Sequence, residues 1–169
     1  MASGKRPHVL IIGAGLGGLL LAQALRKQNV SFQIFERDSS LQSRSQGWCI
    51  GIHSFFDELE AAMPDDLPSI DVTSHLRPLD LPAQLCFYRD GQKFYVQSSE
   101  DGKVIRANRK RLRDWLATKL EVKWDKKTTR IEETINSVTL HFADGSSATG
   151  DVLVGADGVN SMGKHAPPS

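Results

Sequence analysis

The pattern of apolar and polar residues predicts an α/β fold that opens with a strand, a helix and a second strand. Residues 9–12 form a continuously apolar, β-branched run that ends at a glycine, which is typical of a buried parallel strand. Residues 16–27 place leucine and alanine on one helical face, and Asn29 is a candidate C-cap. Residues 32–35 predict the second strand, so the span forms a right-handed βαβ unit.

The middle of the chain carries weaker signals. Residues 37–47 are rich in serine, glutamine and arginine, and residues 64–83 contain four prolines, so both stretches predict loops. Between them, Ser54 is a candidate N-cap for a short helix that runs to Met63.

The last third of the chain predicts mainly strands. Residues 84–97 alternate around Asp90-Gly91, which is a hairpin signal. Asn108 is a candidate cap for a helix that continues to about Leu120. Residues 128–148 predict a small antiparallel meander, and residues 152–154 predict a last buried strand.

Composition narrows the class of protein. The 169 residues are 40% hydrophobic and 24% charged, with a net charge of +1, which suits one domain without nucleic-acid affinity. Two cysteines, Cys49 and Cys86, give no disulfide framework, and the five histidines show no metal-ligand spacing. We therefore expect a cytoplasmic protein without a metal site. The apolar run after Lys5-Arg6 could alternatively be a signal peptide, but its glycines argue against one.

The glycine-rich segment after the first strand carries the clearest chemical signal. Gly13-Ala14-Gly15-Leu16-Gly17-Gly18 fits the pattern G-x-G-x-x-G between a strand and a helix. Gly13 allows a sharp turn, Gly15 allows close approach of a pyrophosphate, and Gly18 allows the helix to pack on the sheet. The start of the helix then presents free N–H groups to the phosphates.

Glu36 stands at the end of the second strand. A carboxylate there can accept hydrogen bonds from both ribose hydroxyls and repels a 2′-phosphate, which favours FAD or NAD over NADP. The alternative is a glycine-rich turn followed by an incidental surface glutamate.

Several segments together resemble the FAD-dependent aromatic hydroxylases, which are single-component flavoprotein monooxygenases. The opening residues 9–19 match, as do Phe35-Glu36-Arg37 and the Gly47-Trp48 segment that follows Arg44. Further matches are the R-x-x-L helix that begins at Arg109 and the segment Gly155-Ala156-Asp157-Gly158. The resemblance covers residues 8–161.

This resemblance implies a Rossmann-like FAD-binding domain and roles for individual residues. Glu36 would hold the adenosine ribose, Arg44 and Arg109 would approach the pyrophosphate or ribityl chain, and Asp157 would lie near the flavin. The parent reaction would hydroxylate an aromatic or polyketide-like small molecule with oxygen and NAD(P)H as the reductant, while FAD carries the chemistry. The implied cofactor-binding residues are Gly13, Gly15, Leu16, Gly18, Glu36, Arg37, Arg44, Arg109 and Asp157, and no catalytic residue is implied.

The chain also departs from the family, whose members are more than twice as long. A ribityl-binding Gly-Asp motif and a substrate domain are missing, so residues 1–169 predict one truncated FAD-binding domain with a flexible tail at 162–169. We expect the uncovered sheet to lead to self-association or to a partner chain. We also expect a bound flavin to be weakly held and to release hydrogen peroxide.

Individual residues admit alternatives. Arg109, Lys110 and Arg111 oppose the dipole of their helix, and an anionic ligand at Arg109 would remove that conflict, whereas Lys110 and Arg111 suit a solvated face. Arg44 could equally be a surface arginine. Asp157 follows a strand, as ligand-binding groups do in α/β folds.

The three tryptophans, at positions 48, 115 and 124, are predicted to be packing residues rather than flavin stackers. Two other functions remain open, namely a non-catalytic binding or interaction domain and an NAD-linked reductase. The absorption spectrum of the purified protein would distinguish a flavoprotein from an NAD enzyme.

Overall fold

A computed structural model describes residues 6–43, 47–53, 55–75, 84–98 and 104–158. The chain divides into two compact units, one formed by residues 1–44 and 116–169 and the other by residues 45–115. In chain order the elements are β1 His8–Ile12, α1 Leu16–Lys27, β2 Ser31–Phe35, β3 Cys49–Ile52, α2 Phe56–Ala62, a 3-10 helix Ile70–Thr73, β4 Gln84–Arg89, β5 Gln92–Ser98, β6 Ile105–Asn108, α3 Arg109–Leu116, β7 Val122–Lys123, β8 Thr128–Glu133, β9 Val138–Phe142, β10 Ser147–Gly150 and β11 Val152–Gly155.

The first unit is built on a parallel sheet. Its four strands lie in the order β11-β1-β2-β7, with β1 and β2 in the middle. Leu10 and Ile11 are fully buried, because both faces of the central strand are covered. The predicted βαβ unit is therefore present, and the prediction of a helix over residues 16–27 is confirmed at both ends.

An antiparallel meander of β8, β9 and β10 covers one face of this sheet. Phe35 from β2 meets Phe142 from β9 with ring centroids 4.8 Å apart. The end of β10 crosses β1 so closely that a β-carbon at Gly150 would lie 2.7 Å from Cγ of Leu10. The shared core consists of Leu10, Ile12, Phe35, Val138, Leu140 and Phe142.

Helix α1 packs against β1 and β2 through its buried face, which includes Leu19 and Ala22. Asn29 takes a left-handed conformation (φ +54°) one residue after the C-cap Gln28, so it ends the helix as the sequence predicts. Gln23 on the same face is fully buried. Its side-chain amide donates to the carbonyl oxygens of Leu116 and Thr118 at 2.7 and 2.9 Å, which ties α1 to the chain that leads into β7.

The second unit contains a short antiparallel pair, β3 with β6, in which Cys49 lies opposite Asn108. The 3-10 helix lies beside this pair and buries Ile70 and Thr73. The Trp115 indole N–H donates to the carbonyl of Pro68 at 2.8 Å, which fixes the segment before the 3-10 helix against α3.

Strands β4 and β5 form the predicted hairpin in the second unit. Asp90 and Gly91 both have positive φ, +50° and +77°, as the tight turn of a twisted hairpin requires. Large side chains on the hairpin are exposed, among them Tyr88 at 63% and Phe94 at 65%. The exposed rings of Phe87 and Tyr95 pack against each other, with centroids 5.7 Å apart.

Some predicted bounds are wrong. Asn108 does cap α3, since its side-chain oxygen accepts from the Arg111 amide at 3.1 Å, but the helix ends at Leu116 and not near residue 120. Residues 117–119 form a turn instead, in which Lys119 takes φ +58°. The N-cap of α2 is Phe55, without a side-chain hydrogen bond, and Ser54 lies outside the described residues.

Other features were not predicted. Strands β3, β6 and β7 and the 3-10 helix have no counterpart in the sequence-based assignment. The last strand, β11, is not buried, because it lies at the edge of the described sheet and Val152 is 43% exposed. Trp48 is 86% exposed, so the prediction that it packs in the interior is wrong.

Candidate nucleotide-binding site

The glycine loop joins β1 to α1 in a tightly constrained form. Gly13 has φ +106°, and a β-carbon there would lie 2.5 Å from the carbonyl oxygen of Ala156. A β-carbon at Gly18 would lie 2.0 Å from the carbonyl oxygen of Gly13. Both distances are too short for any side chain, so these two glycines are required by the fold itself.

Gly15 differs from Gly13 and Gly18 because space is open beside it. A β-carbon at Gly15 would have only the Ala156 carbonyl oxygen nearby, at 3.9 Å. Gly15 is also the N-cap of α1, and it makes no side-chain capping bond, while the first turn holds no acidic residue. The helix therefore begins with backbone N–H groups beside an open space, which is the arrangement that binds a phosphate.

The Glu36 carboxylate is fixed beside this loop. Glu36 is 9% exposed. Its Oε2 accepts from the Ala14 amide at 2.8 Å and its Oε1 accepts from the Asp38 amide at 3.1 Å. Each carboxylate oxygen can accept more than one hydrogen bond, so both keep capacity for ribose hydroxyls.

The backbone of Glu36 is held as firmly as its side chain. Its amide donates to the Lys123 carbonyl at 2.9 Å, and its carbonyl accepts from the Lys126 amide at 2.8 Å. The segment that follows β2 therefore runs beside the end of β7, and Glu36 is positioned by contacts on both sides.

Asp157 approaches the glycine loop from β11. The amide of Ala156 donates to the carbonyl of Ile12 at 2.7 Å, so the two strands leave the sheet side by side. Strand β1 continues through α1 to β2 on one side, while β11 lies on the other. The carboxyl ends of β1 and β11 therefore flank a point where the strand order reverses, which is where open α/β sheets bind ligands.

The structure thus brings together Gly13, Gly15, Gly18, Glu36 and Asp157 at one edge of the first unit. The other predicted site residues are placed differently. Leu16 is the first residue of α1, Arg37 is exposed just after Glu36, Arg109 starts α3 in the second unit, and Arg44 lies outside the described residues.

Two contributors escaped the sequence analysis because they act through the backbone. The Ala14 amide fixes the Glu36 carboxylate, and the Ala156 carbonyl limits the space beside Gly13 and Gly15. Side-chain identity carries no signal for such roles.

A concavity among the described residues lies away from this edge. It is an open depression of about 460 Å³ near the amino end of β11 and the turn between β8 and β9. Glu133 and Asp151 supply its carboxylates, and Asp151 already accepts from the His8 amide at 2.7 Å. We place the candidate site at the glycine loop, where several polar groups converge, and not at the depression. Across the described residues, no helix combines the length and apolar character needed to cross a membrane.

Comparison with known proteins places the chain beside flavin enzymes. Residues 11–48 match the family model of an NAD(P)-binding Rossmann-like domain. An FAD-dependent monooxygenase of Trichoderma harzianum is 48% identical over 158 residues, covering 92% of this chain and 39% of that protein. An FAD-dependent monooxygenase of Emericella nidulans is 34% identical over 167 residues, covering 90% of this chain and 40% of that protein.

A solved structure supports the same assignment. The crystal structure of Klebsiella pneumoniae HpxO complexed with FAD and uric acid superimposes with a TM-score of 0.62 at 25% identity, covering 91% of this chain and 40% of that one. The chain spans about two fifths of the length of the curated relatives that it matches. These matches confirm the resemblance to the flavoprotein monooxygenases, and residues 11–48 of this chain match the Rossmann-like domain model.

Proposed function

We propose that this chain binds FAD and forms the FAD-binding part of a flavoprotein monooxygenase. The observation that carries the proposal is the convergence of the Gly15 helix start, the fixed Glu36 carboxylate and Asp157 at one point of strand reversal. In this assignment the pyrophosphate lies against the amides at the start of α1, and Glu36 accepts from the adenosine ribose. Asp157 lies towards the flavin side.

The residues present suit a dinucleotide. The open space at Gly15 matches the need of a pyrophosphate for close backbone approach, and no acidic side chain in the first turn of α1 repels it. Bound FAD would supply the redox chemistry with oxygen and NAD(P)H, for hydroxylation of an aromatic or polyketide-like small molecule. The chain itself binds the phosphates, orients the adenosine and discriminates at the ribose through the carboxylate of Glu36.

We extend the assignment to Leu16, Arg37, Arg44 and Arg109 on the family resemblance. Leu16 would contribute a backbone amide, and the arginines would offer charge to the cofactor. We also propose that residues 1–169 act together as a single FAD-binding module, in the cytoplasm as the two free cysteines suggest.

The test is a binding titration with an internal control. Gly15→Val places a side chain in the phosphate space without a backbone clash, so we expect FAD and ADP binding to be lost while thermal stability is kept. Ser147→Val adds an apolar group at an exposed strand position of the same unit and should bind normally. Equal FAD affinity in Gly15→Val and the unmodified protein would refute the phosphate assignment.

The Glu36 carboxylate gives a second test. A hydrogen bond to a charged group contributes about 1.5–3 kcal/mol, so Glu36→Gln should weaken FAD binding by roughly 10- to 100-fold. In the alternative assignment, in which the loop binds NAD, the same change should reduce the preference for NADH over NADPH, because the charge that repels a 2′-phosphate is gone. An unchanged FAD affinity would contradict the ribose assignment.

An NAD-linked reductase is the second candidate, favoured by the match of residues 11–48 to an NAD(P)-binding domain model. The visible absorption of the purified protein separates the two, since bound flavin absorbs blue light and NAD does not. A paired assay of peroxide and hydroxylated product with NADPH and phenols then shows whether the residues present complete a monooxygenase or only an FAD-binding domain.

We further propose that the chain self-associates or binds a partner chain. Support comes from the exposed aromatic residues of the β4–β5 hairpin and from the exposed edge strand β11. Light scattering over a wide concentration range should show a mass above that of the monomer. A constant monomer mass would count against self-association.

A further inference from the structure

The two edges of the parallel sheet in the first unit differ in how they are protected. Strand β7 forms one edge and pairs only Val122 and Lys123 with β2. Lys123 also forms an ion pair with Glu121, and both a short strand and charged side chains discourage a further strand from pairing. Strand β11 forms the other edge of the described sheet, and its four residues include no charge and no proline. The β11 edge therefore lacks the features that normally prevent strand addition.

The open side of β11 carries the backbone groups of Leu153 and Gly155. The Ala156 amide donates to the Ile12 carbonyl at 2.7 Å, so Ala156 directs its amide towards β1. Successive residues of a strand direct their backbone groups to opposite sides, so Val154 also faces β1 while Leu153 and Gly155 face away from it. Among the described residues, no strand pairs with that side. Leu153 therefore offers one N–H donor and one carbonyl acceptor to an incoming strand.

The side chains of β11 are apolar and only partly covered. Leu153 packs against the core that the sheet shares with the meander. Val152 and Val154 lie on the opposite face, which α1 covers further along the sheet at β1 and β2. Val152 is 43% exposed. β-Branched side chains of this kind pack well against each other across paired strands, so the strand suits an apolar neighbour.

We propose that β11 is a dimerisation strand, which pairs antiparallel with β11 of a second copy across a two-fold axis at Leu153. This inference rests on the self-association proposed above and names its surface. The two Leu153 residues exchange both of their hydrogen bonds, as their outward backbone groups allow. Val152 lies opposite Val154 of the partner subunit on the same face of the joined sheet. Asp151 lies opposite the partner's Gly155, so no like charges meet.

The size of this contact sets the expected affinity. About five residues from each copy take part, against about 20–30 residues a side in an interface of standard size. We therefore expect a dimer that dissociates on dilution, with a Kd in the micromolar range or weaker. Antiparallel pairing places the carboxyl ends of the two β11 strands, and with them the two glycine loops, at opposite edges of the joined sheet. FAD binding and dimer formation should therefore be separable.

Light scattering of the 169-residue chain from micromolar to near-millimolar concentration tests the edge. Leu153→Pro removes the outward N–H and spares the hydrogen bonds of β11 to β1, so it should raise the dimer Kd by at least about tenfold. Leu153→Thr is the matched control, because it loses the same apolar side chain but keeps the N–H, and it should still dimerise. Phe94→Ser removes an exposed aromatic side chain of the β4–β5 hairpin and should leave the dimer unchanged.

Disulfide cross-linking tests the register. Val152→Cys and Val154→Cys, mixed under oxidising conditions, should form a covalent dimer, because the Cα atoms of such an opposed pair are about 4.5 Å apart. Neither variant alone should cross-link through its new cysteine, since an offset of two residues places the Cα atoms beyond the limit of about 7 Å. The unmodified chain, with Cys49 and Cys86, gives the background.

The outcomes separate this interface from its rivals. A mass that falls with Phe94→Ser and not with Leu153→Pro would overturn the β11 interface and leave self-association through the hairpin. A constant monomer mass of the unmodified chain would overturn both. Equal cross-linking of one cysteine variant alone and of the mixture would overturn the two-fold register. If circular dichroism shows Leu153→Pro to be unfolded, the cysteine mixture decides. FAD titration of each folded variant should be unchanged, which keeps a failure of the FAD proposal distinct.

Discussion

Replacing Gly18 with alanine tests how closely α1 packs against the end of β1. The new β-carbon would lie 2.0 Å from the Gly13 carbonyl oxygen and 3.3 Å from the β-carbon of Ala156. The closest atom belongs to the backbone, so relief requires α1 to move by about 1 Å or more. Overpacking of this kind costs about 1–3 kcal/mol, and the higher helix propensity of alanine returns about 1 kcal/mol.

The net loss is therefore about 0–2 kcal/mol, which should lower the melting temperature of a chain of this size by up to roughly 8 °C. Gly17→Ala is the matched control, because no atom lies within 4 Å of its β-carbon position. It should gain stability from helix propensity alone, by about 1 kcal/mol. Thermal unfolding followed by circular dichroism measures both variants. A Gly18→Ala protein as stable as Gly17→Ala would refute the close packing of helix and strand.

Three further changes probe other parts of the fold. Gln23→Leu should lower the free energy of unfolding by about 1–3 kcal/mol, because it leaves the carbonyls of Leu116 and Thr118 without their donor. An unchanged midpoint of urea unfolding would show that these two hydrogen bonds are dispensable. Gly150→Ala should destabilise by about 1–3 kcal/mol, since its β-carbon would lie 2.7 Å from Leu10 Cγ; an unaltered melting temperature would contradict that contact. Hydrogen bonds from Lys126 hold the pKa of Asp144 well below its usual range. The stabilisation from this contact is therefore fully present above the unfolded pKa of an aspartate and is lost as the pH falls through the folded pKa. Asp144→Asn should make the free energy of unfolding fall less steeply with decreasing pH. An unchanged acid dependence of the unfolding free energy would argue against this role of Asp144.

The first unit could be predicted well because its signals are local. The strand 9–12, the helix 16–27 and the meander over 128–148 each carry their own periodicity and turn residues. Strand β7 could not be predicted, since it has two residues and exists through pairing with β2 and a hydrogen bond to Glu36. Likewise β3 and β6 pair across more than fifty intervening residues, and β3 includes Gly51, which hides its pattern.

The candidate site divides in the same way. Gly13, Gly18 and Glu36 could be found from the sequence, because glycine and a carboxylate at those positions have specific uses. The exposure of Trp48 and Val152 could not be found, since apolar residue type alone predicts burial. Their exposure depends on which strands lie beside them, and strand pairing between distant segments decides this.

The discontinuity of the first unit has a consequence for the order of protein synthesis. Strand β1 leaves the ribosome before its neighbour, because the segment beside it at the β11 edge, marked by the bond between His8 and Asp151, comes 143 residues later in sequence. At about 5–20 residues per second, roughly 7–30 s pass before that neighbour is made. During this interval residues 45–115 are contiguous and can fold first, while the side of β1 that later pairs with β11 has no partner. The β11 edge of β1 therefore stays unpaired until residues 152–155 have been made, and the nucleotide loop, which packs against Ala156, cannot take its final shape before then.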